Sequence, residues 1–226
     1  MEKHSVSDWI EAILSRFGYG SDYKKNKKIH KVENMLGVDF GGQLFQDNLG
    51  FRVEQGNDYT ASPDWITTVL DGRITEEDSI IDFGCGKGYA MYLMSQFPFK
   101  KIYGIELSTK LYDMAKHNFY ILKDDRFRIW NLDATKLSMN EEVYSILGEC
   151  KYIYIYNSFP LEVMKKVVNE LEEKVIKDSW NVFIIYVSPT PECRMLLDSS
   201  TKFKLNKRYY EDEPGGGVFE YESIPL

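Results

Sequence analysis

Asp82, Gly84, Gly86, Gly88 and Glu106 combine residue types and spacings that could hold a nucleotide. A β-branched run, SIIDF, carries Asp82 near its end, and three alternate glycines then turn the chain into a helix. A second apolar run ends in Glu106, eighteen residues after the last glycine. Glycines let the backbone approach a ligand closely, and an acid at the next strand tip can bind a ribose. A glycine-rich turn that served only tight strand–helix packing would not need that second acid.

A dinucleotide fingerprint requires a further glycine at position 89, and that position is Tyr89. A nicotinamide oxidoreductase is therefore disfavoured. The spacing present, Gly-x-Gly-x-Gly with an acid two residues before it, resembles motif I of the class I S-adenosylmethionine (SAM) methyltransferases, (D/E)xGxGxG. The resemblance implies that SAM is the cofactor and that Asp82 organises the loop and the methionyl ammonium. It also implies that Gly84 and Gly86 pass close to the ligand, with Cys85 and Gly88 completing the loop. Cys85 need only be small. Glu106 would take both ribose hydroxyls, which the two oxygens of a carboxylate can do, with Leu107 beside it.

Other strand tips extend the reading, because ligands of open α/β sheets lie beyond the carboxyl ends of the strands. Asp133 sits where many such enzymes place an acid on the adenine amino group, with the Ala134 backbone adjacent; an Asx-turn or helix cap is the bland alternative. The next tip reads YIYIYNSFP, residues 152–160. Its Asn157 and Phe159 resemble, imperfectly, the (D/N)PP(Y/F) tip of amino-methylating enzymes. They also resemble the Asn-x-Phe tip of non-SET histone-lysine methyltransferases and related bacterial enzymes. Ser158 replaces the middle proline or asparagine, which leaves the acceptor open. The resemblance makes Asn157 an acceptor-orienting residue next to the cofactor and Phe159 a pocket wall. Ser158 could instead cap the following helix, with Pro160 early in it. Tyr59 and Ser62 are similar to a loop that folds over the cofactor in several relatives.

The elements that must position these residues are legible as alternation. Strands are expected at 79–83, 101–105, 127–130, 151–156 and 181–187, with helices at 87–97, 108–122, 141–147 and 160–176. Such alternation calls for a parallel sheet covered on both faces. Residues 203–210 and 218–224 read as strands around EDEPGGG, a turn signal. The expected fold is therefore α/β: three layers, a doubly wound, mostly parallel seven-stranded sheet with an antiparallel C-terminal hairpin. Ahead of this core (residues 76–226), residues 1–75 read as a helical cap that selects the substrate. The cap has a helix at 7–17, capped by Ser5 and Asp8 and stopped by Gly18 and Gly20. A lysine-rich helix runs to about Leu36, and another begins with Ser62 as N-cap and Pro63 at its first position.

Composition sets the outer bounds. The 226 residues are 43% hydrophobic and 28% charged, with a net charge of −7. Nucleic-acid binders usually carry a basic footprint, so a nucleic-acid partner is disfavoured. The exception is YKKNKKIHK, with five lysines between Tyr23 and Lys31, read as a solvated helix face or a patch for an anionic partner. No apolar run is long enough to span a bilayer, and the start lacks a signal-peptide core. Three scattered cysteines offer neither a disulfide framework nor a zinc pattern, and the isolated histidines suggest no metal site. Cytoplasmic residence is the natural reading. The sequence thus points to a SAM-dependent methyltransferase acting on a small molecule, glycan or protein side chain, the acceptor unidentified. The alternative is an inactive SAM- or nucleotide-binding regulatory module. Oligomeric state is not legible.

Overall fold

A computed structural model describes residues 20–210 and 216–224. Helix α1 (Gly20–Leu36) leads to two very short strands, β1 (Gln43–Leu44) and β2 (Tyr59–Thr60), which pair antiparallel. Helix α2 (Trp65–Leu70) precedes the alternating core: β3 (Ser79–Phe83), α3 (Tyr89–Met94), β4 (Lys101–Glu106), α4 (Thr109–Leu122) and β5 (Phe127–Asn131). Next come α5 (Glu141–Glu149), β6 (Tyr152–Tyr156), α6 (Leu161–Asp178), β7 (Phe183–Val187), α7 (Pro191–Asp198), β8 (Phe203–Tyr209) and β9 (Val218–Ser223).

Seven strands form one sheet in the order β5-β4-β3-β6-β7-β9-β8. The first five are mutually parallel, and β9 inserts antiparallel between β7 and β8. All five residues of β3 are buried, as a central parallel strand with both faces covered requires. Successive side chains go to opposite faces. Ile81, Ile153 and Ile184 join one core with α5, α6 and α7, while Ile80, Tyr152 and Ile185 join another with α1, α2 and α3. The stripe on α6 (Met164, Val167, Val168, Leu171, Val175) is buried at the three- and four-residue spacing of an amphipathic helix. The three-layer, mostly parallel fold with its antiparallel hairpin is the one expected.

Several local expectations change. Ser62 does not cap α2; Asp64 occupies the N-cap position and the helix starts at Trp65. Likewise Pro160, not Ser158, stands at the N-cap of α6, with no side-chain cap bond. Helix α7 was not anticipated, although Thr190 caps it by accepting from the Cys193 N–H at 3.3 Å. The helix expected at 7–17 lies outside the described residues. Among the described residues no helix is long and apolar enough to cross a membrane.

Candidate functional site

A cavity of about 400 Å³ opens at the carboxyl ends of β3, β4, β5 and β6 and beneath residues 46–62. Its walls include Asp82, Gly84, Cys85, Gly86, Glu106, Leu107, Asp133 and Ala134 from the sheet tips. Tyr59 and Ser62 line it from the preceding strap, and Asn157 and Phe159 from the tip of β6. Of the residues expected at the site, Gly88 alone does not reach this cavity. A β-carbon there would lie 2.4 Å from the Phe119 ring, so Gly88 lets the loop pack against α4.

The two acids behave differently. Glu106 is 5% exposed, and its two oxygens accept the Gly86 and Ser108 N–H groups, each at 2.8 Å. One oxygen thus pins the glycine loop and the other the start of α4, the Leu107 N–H also reaches the carboxylate, and its four acceptor positions leave room for a further donor. Burial raises its pKa, and these backbone bonds oppose that shift. Asp82 is 2% exposed, and no described residue donates a hydrogen bond to its carboxylate. Burial first, and then the neighbouring charge of Glu106, push its pKa well above the ordinary aspartate range. A buried carboxylate without a partner is costly, and a cation or donor arriving in the cavity relieves that cost.

The loop between β3 and α3 is held from above. Tyr59 packs its ring where a β-carbon on Gly86 would sit, 2.3 Å from the nearest ring atom. The Tyr59 hydroxyl donates to the Phe40 carbonyl at 2.5 Å, and burial keeps that phenol protonated. From inside the loop, Lys87 reaches back to the strap, donating to Asp39 Oδ1 at 2.7 Å and to the Gly41 carbonyl at 2.6 Å. Asn118 on α4 ties both sides, donating to the Asp39 and Lys87 carbonyls. Ser62 is buried where the Tyr154 hydroxyl meets its Oγ at 2.5 Å, and its own proton goes to the Pro63 carbonyl. That partnership, from the floor of the cavity, explains why Ser62 is not a helix cap.

At the next tip, Asp133 Oδ1 accepts from the Thr135 N–H and hydroxyl at 2.9 and 2.7 Å. Burial alone would raise this carboxyl, but those bonds and Lys136 outweigh it and hold the pKa below the usual range. Asp133 is therefore a cap for the 3-10 turn Ala134–Met139 as well as a cavity wall. At β6, Asn157 takes a left-handed backbone, φ +40°. Its carbonyl accepts from Asn57 Nδ2 at 2.7 Å, whereas its own Oδ1 is buried without a hydrogen-bond partner. Phe159 is 8% exposed and bridges the cavity and the core.

Sequence reasoning missed Asn57, Asp58, Lys87, Asn118 and Ser158 as parts of this assembly. Asn57 and Lys87 make contacts spanning 100 and 46–48 residues, and no periodic signal marks such pairings. The charge of the walls was equally hidden. The described residues lining the cavity include four carboxylates, Asp58, Asp82, Glu106 and Asp133, and among them there is no lysine, arginine or histidine.

No protein-family model matches this chain, and no curated protein matches it in sequence. Solved structures do match it in shape. A variant of MtNAS superposes with a TM-score of 0.53 at 14% identity, over 72% of this chain and 60% of that one. A Clostridium thermocellum protein described as an rRNA-methylase gives 0.52 at 11% identity, over 73% and 99%. TrmK of M. capricolum, solved with S-adenosylhomocysteine, gives 0.50 at 14% identity, over 70% and 67%. The fold is that of the class I methyltransferases. This class I fold places its glycine loop and acidic tips at one end of the sheet, around the cavity described above. The chain spans about three fifths of the length of MtNAS, and at these identities the likeness is one of fold.

Proposed function

We propose that this protein is a SAM-dependent methyltransferase. One observation carries the proposal: a buried Asp82, to whose carboxylate no described residue donates, beside Glu106, in a cavity whose described charged walls are all acidic. Such a cavity repels phosphate groups and so disfavours dinucleotides and nucleoside triphosphates. A compact adenosyl ligand with a sulfonium and an ammonium suits it. When bound, SAM supplies an electrophilic methyl group on a sulfur that leaves as a neutral thioether.

The chain's own residues then bind and orient. Asp82 takes the methionyl ammonium, and Glu106 offers its remaining lone pairs to the ribose hydroxyls. Asp133 and Ala134 border the adenine, with Leu107 beside it, and Tyr59 and Ser62 hold the strap over the bound cofactor. Cys85 fits because β4 crowds it: a β-carbon on Gly104 would lie 3.0 Å from its side chain. Asn157 orients the acceptor and Phe159 walls its pocket. Alignment in a site closed to water is what a direct displacement needs from the protein. Residues 1–75 choose the acceptor: from that segment, Asn57 and Asp58 reach the cavity wall. A small molecule, a glycan or a protein side chain is the acceptor class that the negative net charge favours. The described cysteines are all free and buried, as suits the cytoplasm.

Titration calorimetry with SAM, S-adenosylhomocysteine and NADH tests the reading. SAM and its demethylated product are expected to bind at one site per chain, and NADH not at all. Heat with NADH and none with SAM would overturn the assignment.

A further inference from the structure

Resting on the methyltransferase reading, we infer that Glu33, which lies outside the cavity, is a positioning residue for the cofactor. Through the peptide that joins Phe40 to Gly41 it holds Tyr59 down on the glycine loop, and so it sets how long the ligand stays bound.

The relay starts where α1 ends. Gly37, at φ +76°, reverses the chain beyond the helix, and residues 40 and 41 return to Glu33. Glu33 Oε1 accepts the Phe40 and Gly41 N–H groups at 2.8 and 2.6 Å. A β-carbon on Gly41 would lie 3.2 Å from that oxygen, so glycine permits the approach. Burial alone would raise the Glu33 carboxyl, but the bonds from Gly41, His30 and Phe40 outweigh it and hold the pKa below the usual range.

The Gly41 N–H and the Phe40 carbonyl belong to one peptide. Its N–H goes to the Glu33 carboxylate, and its oxygen accepts the Tyr59 hydroxyl at 2.5 Å. A charged acceptor on one side of a peptide polarises it and strengthens the bond on the other side. The next carbonyl, that of Gly41, takes the Lys87 ammonium at 2.6 Å. Both outputs land on the glycine loop, because Lys87 belongs to it and the Tyr59 ring covers Gly86. The Phe40 ring adds a fixed point, 5.5 and 5.4 Å from the Tyr89 and Tyr92 rings on α3. A brace for α1 alone would not need the two N–H groups of the segment that grips Tyr59 and Lys87. Tyr59 also lines the cavity, so a ligand seated between its ring and the sheet tips leaves only when the ring lifts.

Surface plasmon resonance with S-adenosylhomocysteine reads the dissociation rate. Glu33→Ala is expected to raise it about tenfold. Glu33→Gln keeps an oxygen for both N–H groups and should recover most of the loss. Tyr59→Phe leaves α1 and its packing untouched and should raise the rate similarly, a result that stands even if Glu33→Ala does not fold. Because one peptide carries both effects, the double variant should be little faster than either single. Arg73→Ala, destabilised far from the cavity, should leave the rate alone, as a merely structural loss would. In the ligand-free protein the Gly84, Cys85, Gly86 and Gly88 N–H groups all have acceptors, and Glu33→Ala should speed their hydrogen exchange. A wild-type dissociation rate in Glu33→Ala or Tyr59→Phe, or effects that simply multiply in the double variant, overturns the relay while leaving the cofactor site standing. Silence of the wild-type protein with S-adenosylhomocysteine overturns the cofactor reading, and loop exchange unmoved by Glu33→Ala then overturns the relay as well.

Discussion

Ser158 fills the space that a side chain on Gly84 would need: its Cβ and Oγ lie 2.7 Å from where that β-carbon would sit. Its hydroxyl donates to the Phe83 carbonyl at 2.8 Å, so the tip of β6 is locked onto the end of β3. Gly84→Ala is expected to lower the melting temperature and weaken SAM binding. Adding Ser158→Gly should restore the steric part of the loss. The part due to φ +79°, about 1–2 kcal/mol for a non-glycine residue, should remain. Thermal melts of the two single variants and the double measure this coupling. Strictly additive losses would mean that the contact contributes nothing.

Asp82 and Glu106 are expected to separate binding from stability. Asp82→Asn removes a buried charge that no protein group compensates, so the melting temperature should hold or rise. SAM affinity should fall at least tenfold, since a charge-assisted bond is worth ~1.5–3 kcal/mol. Glu106→Ala strips acceptors from the Gly86 and Ser108 N–H groups, so both quantities should drop. Parallel calorimetry and melting curves decide; an Asp82→Asn protein that melts much earlier contradicts this account.

The pH dependence follows from Asp82, whose folded pKa lies well above the ordinary 3.8. As pH climbs through the interval between those values, the unfolded chain has shed its proton while the folded chain retains it. This group's contribution to stability therefore declines across that interval and levels off above it. Ligand affinity runs the other way, because gripping an ammonium requires the ionised form. SAM should bind more tightly as pH rises through the same interval, with proton release in calorimetry at its acidic end. Asp82→Asn should remove this group's share of both trends, leaving the part that comes from Glu106, whose pKa burial also raises.

Arg73 and Glu220 provide a test remote from the cavity. Glu220 on β9 is fully buried, and its carboxylate is held by Arg73 at 2.5 Å and Asn206 at 2.6 Å. Arg73→Ala leaves that carboxylate with Asn206 alone and should cost about 3–5 kcal/mol in denaturant unfolding. SAM affinity should stay near the wild-type value below the unfolding transition. A loss under 1 kcal/mol would show that water readily reaches Glu220.

The sheet and the glycine loop were legible because each rests on a local signal: alternation of strand and helix, glycine spacing, an acid at a strand end. Ser62 shows where local grammar fails. Ser-Pro reads as a helix start, yet the serine's oxygen is claimed by Tyr154, ninety-two residues away. Asn57, Lys87 and Asn118 were illegible for the same reason, since their partners lie on other elements. Strands β1 and β2, two residues each, are too short to show alternation. Helix α7 was legible in principle, because Thr190–Pro191 is an ordinary start signal. The clustering of four carboxylates in the cavity could be seen only once Asp58 was brought beside Asp82, Glu106 and Asp133.

The insertion of β9 between β7 and β8 has a consequence for biosynthesis. On the ribosome, the outer rim of β7 stays bare until residue 218 and its successors emerge, because β8, made earlier, has no seat of its own. Five parallel strands must therefore wait half-sheltered for the last piece. Such an unpaired rim invites association between nascent chains.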